Sequence, residues 1–378
     1  MKLIQKFSFF SFFFLLIFSC KNQTHRNKHT NEDPNFLITK HAGYKTVFVF
    51  RPGHKKDTLA RYVLYHRGSS KPKVGFKATF IQTPVSRMAC LSSVYLGAIE
   101  MLGKTDKVVA VDHSNYIINE KIRKRIKTGE VLEIAVTGTI ELEKTLVLKP
   151  DLILTFGSEQ LNIKELEKLQ QYGIPTVFCN EQFECSPINR AAWLKFIGAL
   201  FEAEEKADTI LAVNSEKYYE IKEFVAAHLE KNRSTRPTVI TEIPYNGVWY
   251  VPGGKSFAAT LLKDAGASYL WNEDTNTGSL PLNYETVFLK ARTAEYWLNV
   301  HSWEKLKDCV TQDHRNEEFT AYKKRNIYNN TLQKNETGGN AYWEKGTFNP
   351  HLILEDLVRI FHPEILKSGN LNFYSRLH

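Results

Sequence analysis

At 378 residues, 43% hydrophobic and 24% charged, the chain is long enough for two domains with substantial cores and has the balance of an ordinary globular protein. That excludes a disordered chain and a multi-span membrane protein. The net charge of +9 comes from dispersed lysines and arginines, so no nucleic-acid-binding face is indicated, although a basic surface suits anionic lipid or an anionic ligand.

The strongly apolar run Phe7 to Phe18, behind Lys2 and Lys6, is too short to span a bilayer and has the layout of an export signal. It ends Ile17-Phe18-Ser19-Cys20, which resembles a bacterial lipobox: an aliphatic residue, a spacer, a small residue and the acceptor thiol. Residues 1–19 are therefore read as a lipoprotein signal peptide and Cys20 as the lipidation site; in a plain signal peptide that cysteine would be incidental. Acyl chains contribute about 0.8 kcal/mol per buried CH₂ and tether a protein without a spanning helix. Residues 20–35 read as a polar leash, and His25 and His29, though four apart, lie in surroundings too polar to fix a helix around a metal. Cys90 and Cys179 sit in apolar, strand-like runs as buried thiols would; export also permits a Cys179–Cys185 bridge.

Residues 36–83 hold short alternating runs, Thr46 to Phe50 and Tyr62 to Tyr65, broken at Pro52-Gly53 and Gly68-Ser69-Ser70, which predict a small antiparallel preamble. From residue 84 to 186 the pattern becomes βα alternation. Strands are expected at Arg87 to Leu91, Lys107 to Val111, Asp151 to Thr155 and Thr176 to Phe178, with helices at Val94 to Leu102, Ile140 to Leu148 and Ile163 to Tyr172. Such a series argues a parallel sheet covered on both faces. Residues 187–234 form the longest helical pattern, in which Ala207, Leu211, Asn214, Tyr218, Ile221, Val225 and Leu229 recur as one stripe. From about Glu204 to Leu229 this helix would be ~40 Å long at ~1.5 Å per residue, enough to join two lobes as a strut; the alternative is a core helix of one large domain.

Residues 235–378 return to the same grammar: a strand at Thr238 to Thr241, a short one at Trp249 to Val251, a helix at Phe257 to Ala265 and a last helix opened by Asn349-Pro350. The two halves also share a spacing. Glu141 stands ten residues before Asp151, and Glu285 ten before Glu295, with a strand following each acidic residue. The fold expected is α/β: two Rossmann-like lobes with parallel sheets, bridged by a single long helix.

Several chemical motifs fail on inspection. Gly253-Gly254-Lys255-Ser256 resembles the end of a phosphate loop, but Trp249 stands where that loop needs a glycine. Gly157-Ser158-Glu159 lacks the downstream glycine of a nucleophile elbow, which leaves a secreted hydrolase acting near Ser158 and Glu159 as the alternative reading. In open α/β sheets ligands bind beyond the carboxyl ends of the strands. The first half offers Ser93, Tyr95, Asn115, Tyr116 and Glu159 there; the second offers Tyr245, Trp249, Tyr250, His301, Trp303 and Trp343. Flat aromatic faces with a few donors suit a bulky, partly apolar ligand such as a macrocycle or aryl chelate.

From Pro84 to Glu364 the chain resembles the substrate-binding lipoproteins of ABC importers for iron complexes, haem and cobalamin. The resemblance rests on Arg87 to Ser93, on Ile140-Glu141 with Leu148-Lys149-Pro150-Asp151, on Gly253 to Ser256 with Asp264 to Ala267, and on Asn349-Pro350 with His362-Pro363-Glu364. It implies two lobes on one long helix, a non-enzymatic receptor that acts as a monomer, and an interlobe cleft for a ferric siderophore, haem or cobalamin, with no intrinsic cofactor or protein-held metal. It also implies an importer permease dimer as partner, met by Glu141 and Glu285, and lipid-anchored residence in the cell envelope, facing the periplasm or the exterior. Thr260 stands where that class usually has an acidic residue, and the polar stretch Asn326 to Gly339 is long for it.

Overall fold

The computed structural model describes residues 33–136, 139–157, 163–366 and 368–378. Cys20, His25, His29, Ser158 and Glu159 lie outside them.

Strands β1 (Phe36–His41), β2 (Tyr44–Arg51), β3 (His54–His66) and β4 (Thr79–Thr83) form one sheet in that order. Gly53, at φ 72°, turns β2 into β3. The preamble is not wholly antiparallel as its pattern predicts: β4 joins β3 in parallel, because residues 67–78 carry the chain back along the sheet before it re-enters. Phe36 packs on Trp193 and Phe196 with ring centroids 4.9 and 5.9 Å apart. The Phe178 N–H donates to the Tyr62 hydroxyl at 2.9 Å, so this sheet is fixed to the first lobe.

The first lobe runs through β5 (Met88–Cys90), α1 (Ser93–Leu102), β6 (Val108–Val111), α2 (Glu120–Lys127), β7 (Leu132–Glu133), the hairpin β8 (Ala135–Val136) and β9 (Thr139–Ile140), α3 (Leu142–Leu148), β10 (Leu152–Phe156), α4 (Ile163–Gln171) and β11 (Thr176–Cys179). Its sheet has the order β11-β10-β5-β6-β7 and is parallel throughout. Strands β5 and β6 are buried along their whole length, as a sheet covered on both faces requires. Cys90 and Cys179 are buried thiols there, so the bridge from Cys179 to Cys185 is not formed.

Helix α5 (Pro187–Leu200) is almost wholly buried and turns into α6 (Glu204–Asn232). At 29 residues α6 is about 44 Å long. It buries Ala207, Asn214, Ser215, Tyr218, Val225 and Leu229 along one face, half-buries Leu211 and Ile221 of the expected stripe, and exposes much of the rest. Gly198 lets the two helices meet, since a Cβ there would lie 2.9 Å from that of Ala207.

The second lobe holds β12 (Thr238–Thr241), β13 (Pro244–Tyr245), β14 (Val248–Pro252), α7 (Phe257–Asp264), β15 (Ser268–Tyr269), β16 (Ser279–Leu282), α8 (Tyr284–Ala291), β17 (Tyr296–Leu298), α9 (Leu306–Gln312), α10 (Thr320–Lys323), β18 (Ile327–Asn329), α11 (Ala341–Glu344), α12 (Pro350–Phe361) and β19 (Ser375–Arg376). The order is β15-β12-β17-β18-β19, with β19 antiparallel at one edge. Strand β14 belongs to a separate antiparallel sheet, β13-β14-β16. Gly253 and Gly254 face backbone carbonyls of residues 271–278, where a Cβ would come within 2.4 Å of oxygen. Their role is tight packing, and an anion would meet the wrong charge.

The repeated acidic spacing has a structural meaning. Asp151 takes N–H bonds from Ser86 and Arg87 at 2.8 and 3.0 Å and donates its own N–H to the Arg87 carbonyl at 2.7 Å. Glu295 accepts the Thr238 N–H at 3.3 Å and donates to the Thr238 carbonyl at 3.0 Å. Each acid thus ties the start of one central strand to its neighbour, β10 to β5 and β17 to β12. Burial pushes the Asp151 carboxyl up, but the bonds from Ser86 and Arg87 outweigh it and hold the group below the usual range.

Candidate functional site

In the second lobe the carboxyl ends of β12, β17 and β18 open onto a cleft of about 960 Å³. Glu242 follows β12, Asn299 and His301 follow β17, and Asn330 and Thr331 follow β18, while the β13–β14 hairpin adds Tyr245 and Tyr250. Trp343 of α11 forms part of the wall, with Lys334 and Asn340 on the approach to it. Glu242, Asn246, Asn299 and His301 are all left-handed, at φ 66°, 49°, 57° and 44°. For residues with a Cβ that conformation costs about 1–2 kcal/mol each, held here by the surrounding structure.

His301 pairs with Glu242. That hydrogen bond raises the imidazole pKa, against the opposing effect of burial. The attraction is therefore fully present below the ordinary histidine value and is lost as pH rises through the raised one. Around the pair stand exposed aromatic faces and amides: Tyr245 is 70% exposed, Tyr250 47% and Trp343 44%. The site can stack on a flat ligand and hydrogen-bond its rim, and it carries both signs of charge in Glu242, His301 and Lys334.

Tyr245, Tyr250, His301 and Trp343 are brought together at this cleft. Three other expected contacts are corrected. Tyr95 is fully buried, donating to Glu181 Oε2 at 2.8 Å, because α1 packs its face onto the sheet. Trp249 is fully buried, stacked on Trp297 at 5.5 Å and donating to the Thr241 carbonyl at 3.1 Å, because it lies on the inner face of β14. Trp303 is buried edge-on against Trp297 at 5.0 Å. Ser93 is half-buried at the start of α1. Asn115 and Tyr116 are exposed but serve a lobe junction: the Asn115 carbonyl accepts from Thr337 Oγ1 at 2.7 Å, and Tyr116 packs on Gly338 and Gly339.

Sequence reasoning missed Glu242, Asn299, Lys334 and Asn340. The long polar stretch Asn326 to Gly339 was the available signal, since it supplies Asn330, Thr331 and Lys334 to the wall. Among the described residues, no helix is long and apolar enough to cross a membrane.

Two α/β lobes on one long helix, with an open cleft at the ends of parallel strands, define a bilobal binding protein. The chain belongs to the periplasmic binding protein family, whose model matches residues 88–331, more than half of it. An uncharacterized lipoprotein of Methanocaldococcus jannaschii is 23% identical over 314 residues, 81% of this chain and 72% of the relative. Among solved structures, a possible iron-binding (periplasmic solute-binding) protein of Staphylococcus epidermidis superposes with a TM-score of 0.57 at 18% identity, covering 74% of this chain and 99% of that one. A periplasmic heme binding protein of Pseudomonas aeruginosa does so at 0.55 and 16%, covering 74% and 93%. At these identities the likeness shows the fold.

Proposed function

We propose that this chain is the extracytoplasmic substrate-binding component of an ABC importer and that it captures a metal chelate, a ferric siderophore, haem or cobalamin, in the cleft of about 960 Å³. The observation that carries the reading is that cleft, lined by Tyr245, Tyr250 and Trp343 around His301 and Lys334, in a chain of the periplasmic binding protein family. Its size and flat apolar faces suit a ligand larger than an amino acid or sugar. The Staphylococcus and Pseudomonas neighbours, described as a possible iron-binding protein and a heme binding protein, support the ligand class. The protein binds and releases its ligand unchanged.

Cys20 is the lipid attachment point and holds the receptor at the envelope; the archaeal relative's description as a lipoprotein supports this. Glu141 and Glu285, exposed at the starts of α3 and α8, meet a permease dimer.

The test is titration of the full chain in detergent with haem, cobalamin and ferric siderophores, followed by ligand absorption and tryptophan fluorescence. One ligand class should saturate at one equivalent per monomer, and Tyr250→Ala should weaken it about tenfold. Absence of saturation with all three overturns the reading. Turnover of simple esters that disappears in Ser158→Ala would instead establish the hydrolase.

A further inference from the structure

The two lobes meet at a second place besides α6, and a buried carboxylate sits in it. Residues 330–348 leave β18 of the second lobe and lie against the first. Asn335 Nδ2 donates to the Ile117 carbonyl at 3.1 Å, and Thr337 Oγ1 to that of Asn115. Next, α11 presses on α1 so closely that a Cβ on Gly97 would lie 1.7 Å from the Glu344 carbonyl oxygen. The Glu344 side chain, wholly buried, reaches back to the first lobe: its Oε2 accepts the Ile118 N–H at 2.7 Å. Its Oε1 is buried too, with no hydrogen-bond partner among the described residues. The residue before it, Trp343, is 44% exposed and forms part of the ligand cleft. One short helical turn therefore carries a cleft aromatic and, beside it, a carboxylate locked into the opposite lobe.

We infer that Glu344 is a positioning residue that sets Trp343 in the cleft wall, and that gain of a proton tightens this lobe junction while its loss loosens it. The charges facing it are few. Glu100 on α1 repels its ionised form, Lys345 on its own helix attracts it, and Asp112, beyond β6, and Glu344 both bear on the Cys90 thiol of β5. Burial dominates and raises the carboxyl to about 7. An opened junction would expose the group to water and return it towards the ordinary glutamate value of about 4.3. The direction follows. Between those two values the closed form keeps a proton that the open form has lost, so closure becomes progressively less favourable as pH rises from about 4 to about 7 and levels off above.

The experiment is hydrogen–deuterium exchange of the full chain in detergent, comparing wild type with Glu344→Gln at pH 5 and pH 7. Glutamine has the shape of the protonated acid, can still accept from Ile118 and does not titrate. At pH 5, where an opened Glu344 is already largely ionised, peptides spanning 113–122 and 330–348 should exchange no more than about sixfold faster in wild type than in the variant. At pH 7 the wild type should exchange faster than the variant by on the order of a hundredfold. Equal rates at pH 7, or a difference of the same size at both pH values, would overturn the inference. If the variant does not fold, the same peptides in wild type are compared with a peptide from α12, each rate divided by its unstructured value. Their relative exchange should rise by about fortyfold from pH 5 to pH 7, and a flat ratio would be decisive against it.

A second arm, haem dissociation at the two pH values, rests on the proposed function. Release should speed up more from pH 5 to pH 7 in wild type than in the variant, whose remaining pH dependence comes from the His301–Glu242 pair in the cleft. Failure of haem to bind would count against haem as ligand, whereas the exchange rates alone decide the role of Glu344.

Discussion

Trp249 and Tyr250 are adjacent on β14 and have opposite roles. Alternation along a strand sends one side chain inward and the next outward, so the indole is fully buried while the phenol is 47% exposed at the cleft. From the sequence the pair is legible as a strand with aromatic faces, but which face looks inward depends on register with β13 and β16, set by residues as distant as Leu282. Trp249→Ala should therefore act on folding: it deletes a large side chain from a cluster with Trp297 and Phe319, for which about 3–5 kcal/mol is expected from denaturant midpoints. Tyr250→Ala should change those midpoints by less than about 0.5 kcal/mol, as surface substitutions usually do, while weakening ligand capture. The His301 pair yields a check on charge. Glu242→Gln removes the negative charge behind the bond that raises the imidazole, so the His301 ring should titrate at lower pH than in wild type, read from its NMR shifts. An unmoved titration would mean that another group sets the value.

Helix α6 was readable because its stripe repeats with helical period over more than six turns, and packing agrees with that period. Its polar members were not readable in the same way. Asn214 donates to the Phe348 carbonyl at 2.9 Å, and the Tyr218 hydroxyl donates to Asp264 Oδ2 at 2.7 Å. Both partners are far off in sequence, so period places these two residues on the buried stripe but says nothing of what their polar groups bond. The βα elements were legible for the same local reason, whereas β18, β19 and the short helix α11 were not. Each is a few residues long and owes its shape to neighbours distant in sequence. The Tyr218 bond fastens the strut to α7, with Lys222 adding an ion pair to the same carboxylate at 3.0 Å. Tyr218→Phe keeps the ring and removes the donor, leaving a buried carboxylate short of one partner. A loss of about 1.5–3 kcal/mol is expected for a hydrogen bond to a charged group, measured by thermal or denaturant unfolding. Phe224, exposed on the same helix, supplies the control: Phe224→Ser should be close to neutral.

At the scale of the whole molecule, two sheets that share the order of four strands, β6-β5-β10-β11 and β15-β12-β17-β18, place α3 and α8 at corresponding points, each immediately before the strand that follows its lobe's acidic tie, β10 or β17. Because these helices lead into the amino ends of their strands, their own amino ends lie towards the carboxyl ends, the side on which the cleft opens. Glu141 stands at the position before α3, Glu143 occupies its first turn, and Glu285 occupies the first turn of α8. Four residues beyond the latter two, Val147 is 84% and Leu289 74% exposed, so each lobe offers acid and aliphatic on one helical face. Isolated apolar side chains so exposed gain nothing from folding; a partner that covers them gains from both. Glu141 is drawn to Lys144 at 3.4 Å and Glu285 to Arg315 at 3.2 Å, both on the surface, where such pairs contribute about 0–1 kcal/mol and exchange readily for a partner's cation. The double substitution Glu141→Ala with Glu285→Ala should thus leave ligand affinity and stability unchanged while slowing uptake in vesicles that hold the importer. Two lost pairs of up to about 1 kcal/mol each correspond to a reduction of up to about thirtyfold. Adding Glu143→Ala tests which acid of α3 matches Glu285: a further drop assigns the role to Glu143, and none leaves it with Glu141. Raised salt should narrow the gap between wild type and variant, because charge pairing at an exposed surface is screened over about 10 Å at 0.1 M. Uptake equal to wild type at low salt in the triple variant would show that the importer reads another face.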